Sequence, residues 1–395
     1  MKNLKNLRAA DVITVLGLII IIYGFALTML ITPDKTFSEE ENRVLQTLPR
    51  FSVESLTNGK FTKDIASYCT DQMPLRNVFV GTKAVAETVF TKRENNSVLL
   101  GKHGHIIAKA DYTDYAPMDK NISAINVFAA SPDFDVTVAI AGRSQDVLFR
   151  YMPDIYPARE ISDAAFANLN EKLTAAQVDI LTPLREHTAA GEYVYYRTDH
   201  HWTTLGAYYA YSEIISSYDI EPYPIEYFTR ETVSEEFYGT TWSKAGMKWI
   251  APDEMEFFRF EGDNKFVCEI VDDGRLIEGF YERSYLDKKD KYSAFIGGNN
   301  GRVKIYIDGS EKRETLVLIK DSFGHSLAPF LAAHFDLDVI DLRYYKLSVQ
   351  DVITEANAQK VLIIYNMDSL VSSDNLKMLT VLDVPGEYIG KAKTE

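Results

Sequence analysis

The sequence predicts an α/β fold built around a parallel sheet, and three features support this. Apolar strand-like runs alternate with helical stretches in the middle of the chain and again near its end, as at 136–141, 316–319 and 361–365. Strands that alternate with helices favour a parallel sheet covered on both faces. Between the two alternating regions, residues 219–310 are rich in Tyr, Phe, Glu, Gly and Asp. We interpret them as a β-rich insertion that covers one edge of the sheet.

The individual elements follow from hydrophobic periodicity and from turn and capping residues. A helical pattern runs over 61–89, and a hairpin with Gly at its turns is predicted over 97–107. The α/β part is predicted to contain, in order, a helix over 117–130, a strand over 136–141, a helix over 162–176 capped by Ser162, a strand over 178–181, a short aromatic strand over 193–196, a helix from Thr203 or Thr204 to Tyr218, a strand over 316–319, a helix over 326–335, a strand over 338–342, a helix over 348–358 and a strand over 361–365.

The N-terminus carries a membrane-spanning pattern. Residues 12–31 contain no charge, and about twenty apolar residues are needed to span a bilayer as a helix. No small-residue cleavage site follows, so we predict an uncleaved signal-anchor. Lys2, Lys5 and Arg8 precede it, and positive charge on this short side predicts that the N-terminus is cytoplasmic.

This gives a simple division of the chain, with the bulk of the protein outside the cytoplasm. The predicted parts are a cytoplasmic segment over 1–11, a transmembrane signal-anchor over 12–31, an extracytoplasmic linker over 32–60, a catalytic domain over 61–390 with its insertion at about 219–310, and a tail over 391–395.

Composition narrows the function. The 395 residues carry a net charge of −15, which argues against a nucleic-acid partner because phosphates would be repelled. The 24 Tyr and 21 Phe suit the stacking of sugar rings, although aromatic core packing is the alternative. Two cysteines, Cys69 and Cys268, make neither a disulfide framework nor a zinc cluster. Whether these two form one disulfide stays open.

Two motifs point to nucleophilic catalysis. Asp199-His200-His201-Trp202 precedes a predicted helix, and Lys320-Asp321-Ser322 follows a predicted strand. Ligands bind beyond the carboxyl ends of parallel strands, where Ser322 is expected. A serine nucleophile needs an imidazole to take its proton and a carboxylate to orient that imidazole. In extended backbone Asp199 and His201 would share one face, so we predict a triad of Ser322, His201 and Asp199.

Each motif also has a simpler interpretation. Ser322 after a strand is typical of a helix cap, and paired histidines are typical of a structural hydrogen-bonding cluster. A metal-dependent hydrolase that uses Asp199, His200 and His201 is a further alternative. The other histidines show no metal-ligand spacing such as H-x-x-x-H, so the sequence predicts no metal site and no cofactor.

These motifs resemble the DHHW protein family, and several short segments share the resemblance in the right order. They are Phe37 to Arg43 with Pro49, Leu100-Gly101-Lys102, Phe237-Tyr238-Gly239-Thr240 with Ser243-Lys244, Gly297-Gly298-Asn299, Lys320-Asp321-Ser322 with Pro329-Phe330, and Asp341-Leu342-Arg343-Tyr344-Tyr345.

That family is similar to the alginate O-acetyltransferase group of SGNH-like hydrolases. The resemblance implies an SGNH-hydrolase-like, flavodoxin-like three-layer α/β fold and acetyl transfer to or from a cell-envelope polysaccharide. It implies as partner a membrane-bound O-acyltransferase that delivers the acyl group across the membrane. The alternative is a non-catalytic envelope protein that binds carbohydrate or aids assembly and keeps the fold.

The sequence departs from the pattern at two positions. His200 stands where the acetyltransferases have other residues, which keeps a metal-site variant open. Lys320 stands where the SGNH serine motif has Gly, so the oxyanion donors near Ser322 are open. We name Arg343 and Tyr365 as candidate donors because both follow predicted strands, and Trp202 as a candidate substrate contact. The alternatives are a salt bridge for Arg343 and core packing for Tyr365.

Overall fold

The structure is a computed structural model that describes residues 9–38, 40–41, 43–90, 92–110 and 114–380. The described residues fall into two compact units. One takes in the chain as far as Lys92 together with Gly246–Lys248, and the other takes in the rest. The predicted boundary at 60 and 61 therefore lies inside the first unit. The predicted tail and residues 1–8 of the predicted cytoplasmic segment lie outside the described residues.

The first unit begins with a long apolar helix, α1. Within the described part of the chain it is the one helix long and apolar enough to cross a membrane, over Val12–Ile31. These bounds agree with the predicted span. The elements of this unit are α1 Ala9–Ile31, β1 Phe37–Ser38, β2 Arg43–Val44, α2 Val53–Thr57, α3 Lys60–Asp71 and α4 Arg76–Val89.

The helical pattern predicted over 61–89 is divided between α3 and α4. Pro74 lies in the break, and Leu75 adopts a positive φ of 59° there. Proline cannot donate the hydrogen bond that would continue a helix, which explains why one periodic stretch forms two helices.

The second unit holds the α/β part. Its strands are β3 Glu94–Asn95, β4 Val98–Leu100, β5 Ile106–Ala108, β6 Asp135–Ala141, β7 Ala176–Val178, β8 Thr229–Phe237, β9 Asp253–Arg259, β10 Phe266–Ile270, β11 Arg275–Glu278, β12 Arg302–Ile307, β13 Thr315–Lys320, β14 Asp336–Ile340 and β15 Lys360–Asn366. Its helices are α5 Ala116–Ala129, α6 Ser144–Val147, α7 Ala158–Lys172, α8 Leu181–Ala190, α9 Thr204–Ser216, α10 Thr240–Ala245, α11 Gly324–Ala332, α12 Val349–Ala356 and α13 Met367–Ser372.

The main sheet is mixed and largely parallel. Among the described residues it has eight strands in the order β11, β10, β12, β14, β13, β15, β6, β7. The five from β14 to β7 run parallel to one another, and β12, β10 and β11 are joined to them by successive antiparallel pairings. Strands β13 and β14 are buried along their whole length. Continuous burial of this kind means that both faces of the sheet are covered, so the predicted parallel α/β sheet is confirmed.

The strand order differs from the predicted flavodoxin-like one. Numbered by their order along the chain, the five parallel strands run 2-1-5-3-4, whereas the flavodoxin order is 2-1-3-4-5. The last strand, β15, lies between β6 and β13. Hydrophobic periodicity reports how deeply a strand is buried but not which strands flank it, so the sequence did not reveal this order.

The insertion contributes to the sheet itself. Strands β8 and β9 pair separately from the main sheet, but β10, β11 and β12 extend the edge next to β14. The sequence predicted an insertion that covers one edge of the sheet, whereas three strands of residues 219–310 extend that edge. In β10 buried and half-buried positions alternate, and that pattern suits a hairpin at the edge of a sheet.

Several predicted boundaries shift. Helix α7 begins at Ala158, so Ser162 is not its cap but is buried inside it, where it accepts a hydrogen bond from Arg185 (2.9 Å). The strand predicted over 178–181 is β7, which ends at Val178. Thr203 does cap α9, since its hydroxyl accepts from the Gly206 N–H (3.2 Å).

The question of a disulfide has a structural answer. Cys69 is exposed on α3, Cys268 is buried on β10, and both thiols are free. The Cys268 thiol instead donates to the Gly279 carbonyl (3.2 Å).

Candidate active site

Ser322 lies in the turn between β13 and α11. The preceding Asp321 fixes this turn, because its carboxylate accepts from the N–H groups of Phe323 (2.9 Å) and Asn366 (2.8 Å). The Asp321 N–H donates to the Ile364 carbonyl (3.2 Å). The turn is thereby tied to the end of β15, and Ser322 is held at the carboxyl edge of the parallel sheet, as predicted.

Asp199 and His201 lie on a closed loop, residues 196–201, which we call the catalytic loop. Tyr195 and Trp202 pair at its base, and the Tyr196 N–H donates to the His201 carbonyl (3.2 Å). The Asp199 carboxylate also accepts from the His201 N–H (3.0 Å). Such a bond to the backbone two residues on is a turn, which Asp favours. The expectation of extended backbone here is therefore wrong, although the two side chains do meet.

The three predicted catalytic side chains form one hydrogen-bonded chain. The Asp199 carboxylate lies 2.5 Å from Nδ1 of His201, and Nε2 of His201 lies 2.7 Å from Oγ of Ser322. With Nδ1–H donating to Asp199, Nε2 is left as the acceptor for the serine hydroxyl. This is the tautomer that a general base needs.

A segment of the insertion completes the environment of Asp199. The Thr240 N–H (2.7 Å) and hydroxyl (3.0 Å) both donate to Oδ2 of Asp199. Gly239 allows this approach, since a Cβ there would lie 2.3 Å from both Cβ and Oδ2 of Asp199. His200 completes the cluster by bonding the Thr240 hydroxyl through Nδ1 (2.6 Å). The carboxylate thus accepts four hydrogen bonds although it is almost completely buried.

Burial and neighbouring charge set the protonation states. Burial alone would raise the pKa of Asp199, but His200, His201 and the bonds from His201 and Thr240 lower it overall. Burial lowers the pKa of His201, the charge of His200 lowers it further, and Asp199 only partly opposes this. An ionised Asp199 beside a neutral His201 is the resting state that proton abstraction from Ser322 requires.

Aromatic rings hold the imidazole of His201 in place. Tyr292 stacks on it with the centroids 3.9 Å apart and an interplanar angle of 10°, and Phe323 lies 5.0 Å away. The Tyr292 hydroxyl bonds Ser326 (2.9 Å), which also accepts from the Trp202 indole N–H (2.9 Å). Trp202 is fully buried in this network. Its contacts are those of a structural support, and its role toward substrate stays a prediction.

A second buried carboxylate, Asp253, fixes the start of the catalytic loop. It accepts from the Thr198 N–H (2.8 Å) and hydroxyl (2.5 Å) and from the Arg197 side chain (3.1 Å). The Tyr193 hydroxyl also donates to it. Asp253 therefore holds the residues that precede Asp199 in one geometry.

The two candidate oxyanion donors both have structural partners. Arg343 donates to Asp341 (2.9 and 2.6 Å) and to Asn299 (3.0 Å), and Lys320 joins the same carboxylate (3.1 Å). Tyr365 is fully buried, and its hydroxyl donates to Asn375 (3.4 Å). These contacts match the alternatives of a salt bridge for Arg343 and core packing for Tyr365. A role for either residue at the oxyanion stays a prediction.

The geometry also bears on the metal alternative. Ligand atoms of Asp199, His200 and His201 lie within 4.8 Å of one another. However, both ring nitrogens of His201 are engaged, one by Asp199 and the other by Ser322. A metal ion bound through His201 would displace one of these hydrogen bonds, so the triad and a metal site are competing uses of the same atoms.

Sequence reasoning missed Thr240, Asp253 and Tyr292. Thr240 belonged to a motif that the family resemblance singled out, and the adjacent Gly239 signalled a close approach of two chain segments. For Asp253 and Tyr292 the sequence offered no signal, since neither belongs to a periodic stretch or to a recognisable motif.

The chain is therefore an α/β protein whose mixed sheet carries a Ser–His–Asp arrangement at its carboxyl edge. Residues 163–340 match the DHHW protein family, which confirms the resemblance predicted from the sequence.

Three relatives are each less than 25% identical to this chain. A DHHW family protein from Eubacterium siraeum is 24% identical with a TM-score of 0.59, over 72% of this chain and 95% of that one. Bacillus cereus PatB1 is 18% identical with a TM-score of 0.58, over 71% and 99%. Both structures show that the fold is shared. A probable alginate O-acetylase, AlgJ of Pseudomonas fluorescens, is 19% identical over 163 residues, which are 39% of this chain and 41% of that relative. The match thus spans about two fifths of the curated relative.

Proposed function

We propose that this protein transfers an acyl group, acetyl in the first instance, to or from a cell-envelope polysaccharide through an acyl-enzyme on Ser322. The observation that carries the proposal is the chain of hydrogen bonds from Asp199 through His201 to Ser322, at 2.5 and 2.7 Å. The distance from His201 to Ser322 lies within the reach that proton transfer requires, and the hydrogen bond from His201 to Asp199 orients the imidazole.

Acylation and deacylation use the same three side chains. Ser322 Oγ bonds to the carbonyl carbon of the donor ester while its proton passes to Nε2 of His201, and the departing alcohol then takes that proton. In the second half, a sugar hydroxyl gives its proton to His201 and attacks the acyl carbon, and Ser322 regains its proton as it leaves. With water in place of the sugar, the same steps are ester hydrolysis. Asp199 stays ionised and orients His201 throughout.

The developing oxyanion needs hydrogen-bond donors. The Phe323 N–H is already donated to Asp321. The Ser322 N–H has no acceptor among the described residues, and α11 begins two residues later. We therefore assign the Ser322 N–H as one donor, supported by the positive end of the α11 dipole.

The substrate class rests on the relatives. The curated relative acts by its name on alginate, a polysaccharide, as an O-acetylase. The anchor rests on α1, which we place across the membrane with its N-terminus in the cytoplasm, so that the second unit is extracytoplasmic. A membrane-bound O-acyltransferase would then supply the acyl group from the cytoplasmic side.

The test is intact-mass analysis of the full chain in detergent, incubated with para-nitrophenyl acetate. A mass gain of one acetyl group that disappears in Ser322→Ala supports the proposal. Ser310→Ala is the matched control, because Ser310 is an exposed serine outside the site and its loss should leave the adduct intact. No adduct and no ester turnover would instead favour the non-catalytic binding protein.

A further inference from the structure

Helix α4 of the first unit has an exposed apolar side. Val78, Val85 and Val89 are 59%, 48% and 73% exposed, and Phe79 is 45% exposed. The valines recur at intervals of seven and four residues, so they form one stripe along the helix, and Phe79 flanks it. We call these four residues the α4 face. A contiguous apolar surface on the outside of a folded unit marks a binding surface.

The polar side of α4 is turned toward the rest of the first unit. Arg76 and Glu87 are half-buried, and they form ion pairs with Glu41 and with Lys92 (3.1 Å) respectively. The residue that α4 buries is the small Ala84. A helix on the surface of a water-soluble protein has the opposite arrangement, with its apolar side on the core and its charges in water. The inverted arrangement suits a helix whose outer surroundings are apolar.

The α4 face is continuous with the apolar helix α1. The rings of Phe79 and Phe25 lie with their centroids 5.8 Å apart. Phe25 precedes the end of the apolar span at Ile31 by six residues, which is about 9 Å along a helix. With α1 across the membrane, this contact lies inside the extracytoplasmic end of the span. The described residues bury none of that span, so the medium that surrounds α1 also reaches Phe79.

We propose that the α4 face lies against the acyl chains of the extracytoplasmic leaflet, an inference that rests on the membrane anchor of the proposed function. The four apolar side chains occupy the boundary between headgroups and acyl chains, as in an interfacial amphipathic helix. The ion pairs of Arg76 and Glu87 stay on the opposite side of the helix. Lys83 is the charged residue of α4 that is exposed, and its long side chain can extend the ammonium group to the headgroups.

The test measures the surroundings of single residues in the full chain. The exposed Cys69 is replaced by serine, while Cys268 is buried and stays. One nitroxide-labelled cysteine at a time is then placed at positions 78–89, and each protein is reconstituted into vesicles of phosphatidylcholine and phosphatidylglycerol. Electron paramagnetic resonance measures the collision rate of the label with oxygen, which concentrates in hydrocarbon, and with a polar nickel complex, which stays in water.

Two further variants serve as references. Ile20→Cys, on α1, is the reference for lipid, since Ile20 is 69% exposed within the apolar span. Val127→Cys is the reference for water and the matched control for Val85→Cys, because Val127 is an exposed valine on helix α5 (63%). Each substitution is made at an exposed side chain, where a small change is tolerated by the fold.

We expect the ratio of oxygen to nickel collision rates at Val85 to exceed that at Val127 about tenfold, because polar solutes are excluded from hydrocarbon. The ratio at Val85 should be close to that at Ile20. Along positions 78–89 it should oscillate with the period of a helix, with maxima at Val78, Val85 and Val89.

Each other outcome overturns a specific part of the proposal. A water-like ratio at Val85 beside a lipid-like ratio at Ile20 would overturn the lipid contact of α4 and leave the anchor in place. Low collision rates with both reagents at Val85 would mean that protein, such as a second copy of the chain, covers the α4 face instead. A water-like ratio at Ile20 would overturn the anchor and the α4 proposal together. The acetyl adduct on Ser322 is measured separately, so its presence or absence tests the catalytic proposal alone.

Discussion

The ring of Tyr292 lies flat against the imidazole of His201, with the centroids 3.9 Å apart and the planes 10° from parallel. Tyr292 comes from the insertion, ninety-one positions away from His201 along the chain. The stack restricts the imidazole to a plane that faces Asp199 on one side and Ser322 on the other. In the proposed mechanism it also places an aromatic face beside the imidazolium that would form on His201, which is favourable.

Loss of this stack should slow acylation. We expect Tyr292→Leu to lower the acylation rate about three- to tenfold, the range of an aromatic pair contact. Tyr292→Phe keeps the ring and loses only the bond to Ser326, so it should stay close to wild type. Single-turnover kinetics with para-nitrophenyl acetate measures both. Equal loss in the two variants would mean that the hydroxyl, not the stack, is the important group.

Gly239 should be intolerant of a side chain. A Cβ at this position would lie 2.3 Å from Oδ2 of Asp199, so Gly239→Ala must push the carboxylate away from His201. Displacement of a catalytic group by about 1 Å can cost about 100-fold in rate, and we expect a loss of that order in acylation. Thr240→Ser, which retains both donors to Asp199, is the control and should remain active. A fully active, folded Gly239→Ala protein would contradict this account of Asp199.

The pH profile should reveal the influence of His200. Catalysis needs neutral His201, whose pKa is lowered by burial and then by the charge of His200. The acid limb of kcat/KM for acylation should therefore lie below the ordinary histidine value of about 6.5. His200→Asn removes that charge, so the pKa of His201 should rise and the limb should move to higher pH. A limb that stays in place or moves to lower pH would show that His200 does not act on His201 by its charge.

Buried histidines should make the fold sensitive to acid. Burial lowers the folded-state pKa of both His201 and His325. Above about pH 6.5 each is neutral in both states. Below that pH the unfolded chain binds protons that the folded one cannot, so the free energy of unfolding falls, by up to about 1.4 kcal/mol per pH unit for each such histidine.

His325 offers a direct check of this slope. Neither ring nitrogen has a hydrogen-bond partner among the described residues, so His325→Leu loses no hydrogen bond. The variant should reduce the pH dependence of the free energy of unfolding by the contribution of one histidine. Denaturant unfolding between pH 7 and pH 5 measures it. The exposed His103, whose φ of 53° Asn tolerates, gives the control variant His103→Asn. An unchanged slope in His325→Leu would contradict the prediction.

Chelation should not abolish acylation. Both ring nitrogens of His201 are engaged within the triad, so we expect EDTA to leave the acetyl adduct unchanged. Added Zn²⁺ should inhibit by competing for Nε2 of His201. Loss of the adduct with EDTA and its recovery with Zn²⁺ would instead establish the metal-dependent alternative built on Asp199, His200 and His201.

Residue patterns predicted the parts of the site that depend on local sequence. The apolar run of β13 predicted a strand that ends beside Ser322, and the spacing of Asp199 and His201 predicted that they act together. The backbone conformation predicted for this pair was wrong. Extended backbone would place both side chains on one face, but an Asp side chain can also accept a hydrogen bond from the backbone two residues on and so form a turn. Ser162 was misassigned for a related reason, since a serine that suits a helix cap can also accept a hydrogen bond from a half-buried arginine, as it does from Arg185.

The residues that hold the triad and the catalytic loop in place could not be predicted from local sequence patterns. Thr240, Asp253 and Tyr292 reach the catalytic loop from segments 41, 55 and 91 positions away, and no periodicity links them to it. The fold class followed from alternation, but the position of β15 did not, because neighbouring parallel strands have the same apolar character.

The position of β15 has a consequence for when the protein can first act. This strand is formed last along the chain, yet it fills the gap between β6 and β13, and its end ties down the turn that carries Ser322 through Ile364 and Asn366. A nascent chain that has already made Asp199, His201 and Ser322 still lacks the centre of its sheet. We therefore expect the proposed activity to arise only after β15 has been synthesised, so a chain truncated before β15 should not turn over ester substrates.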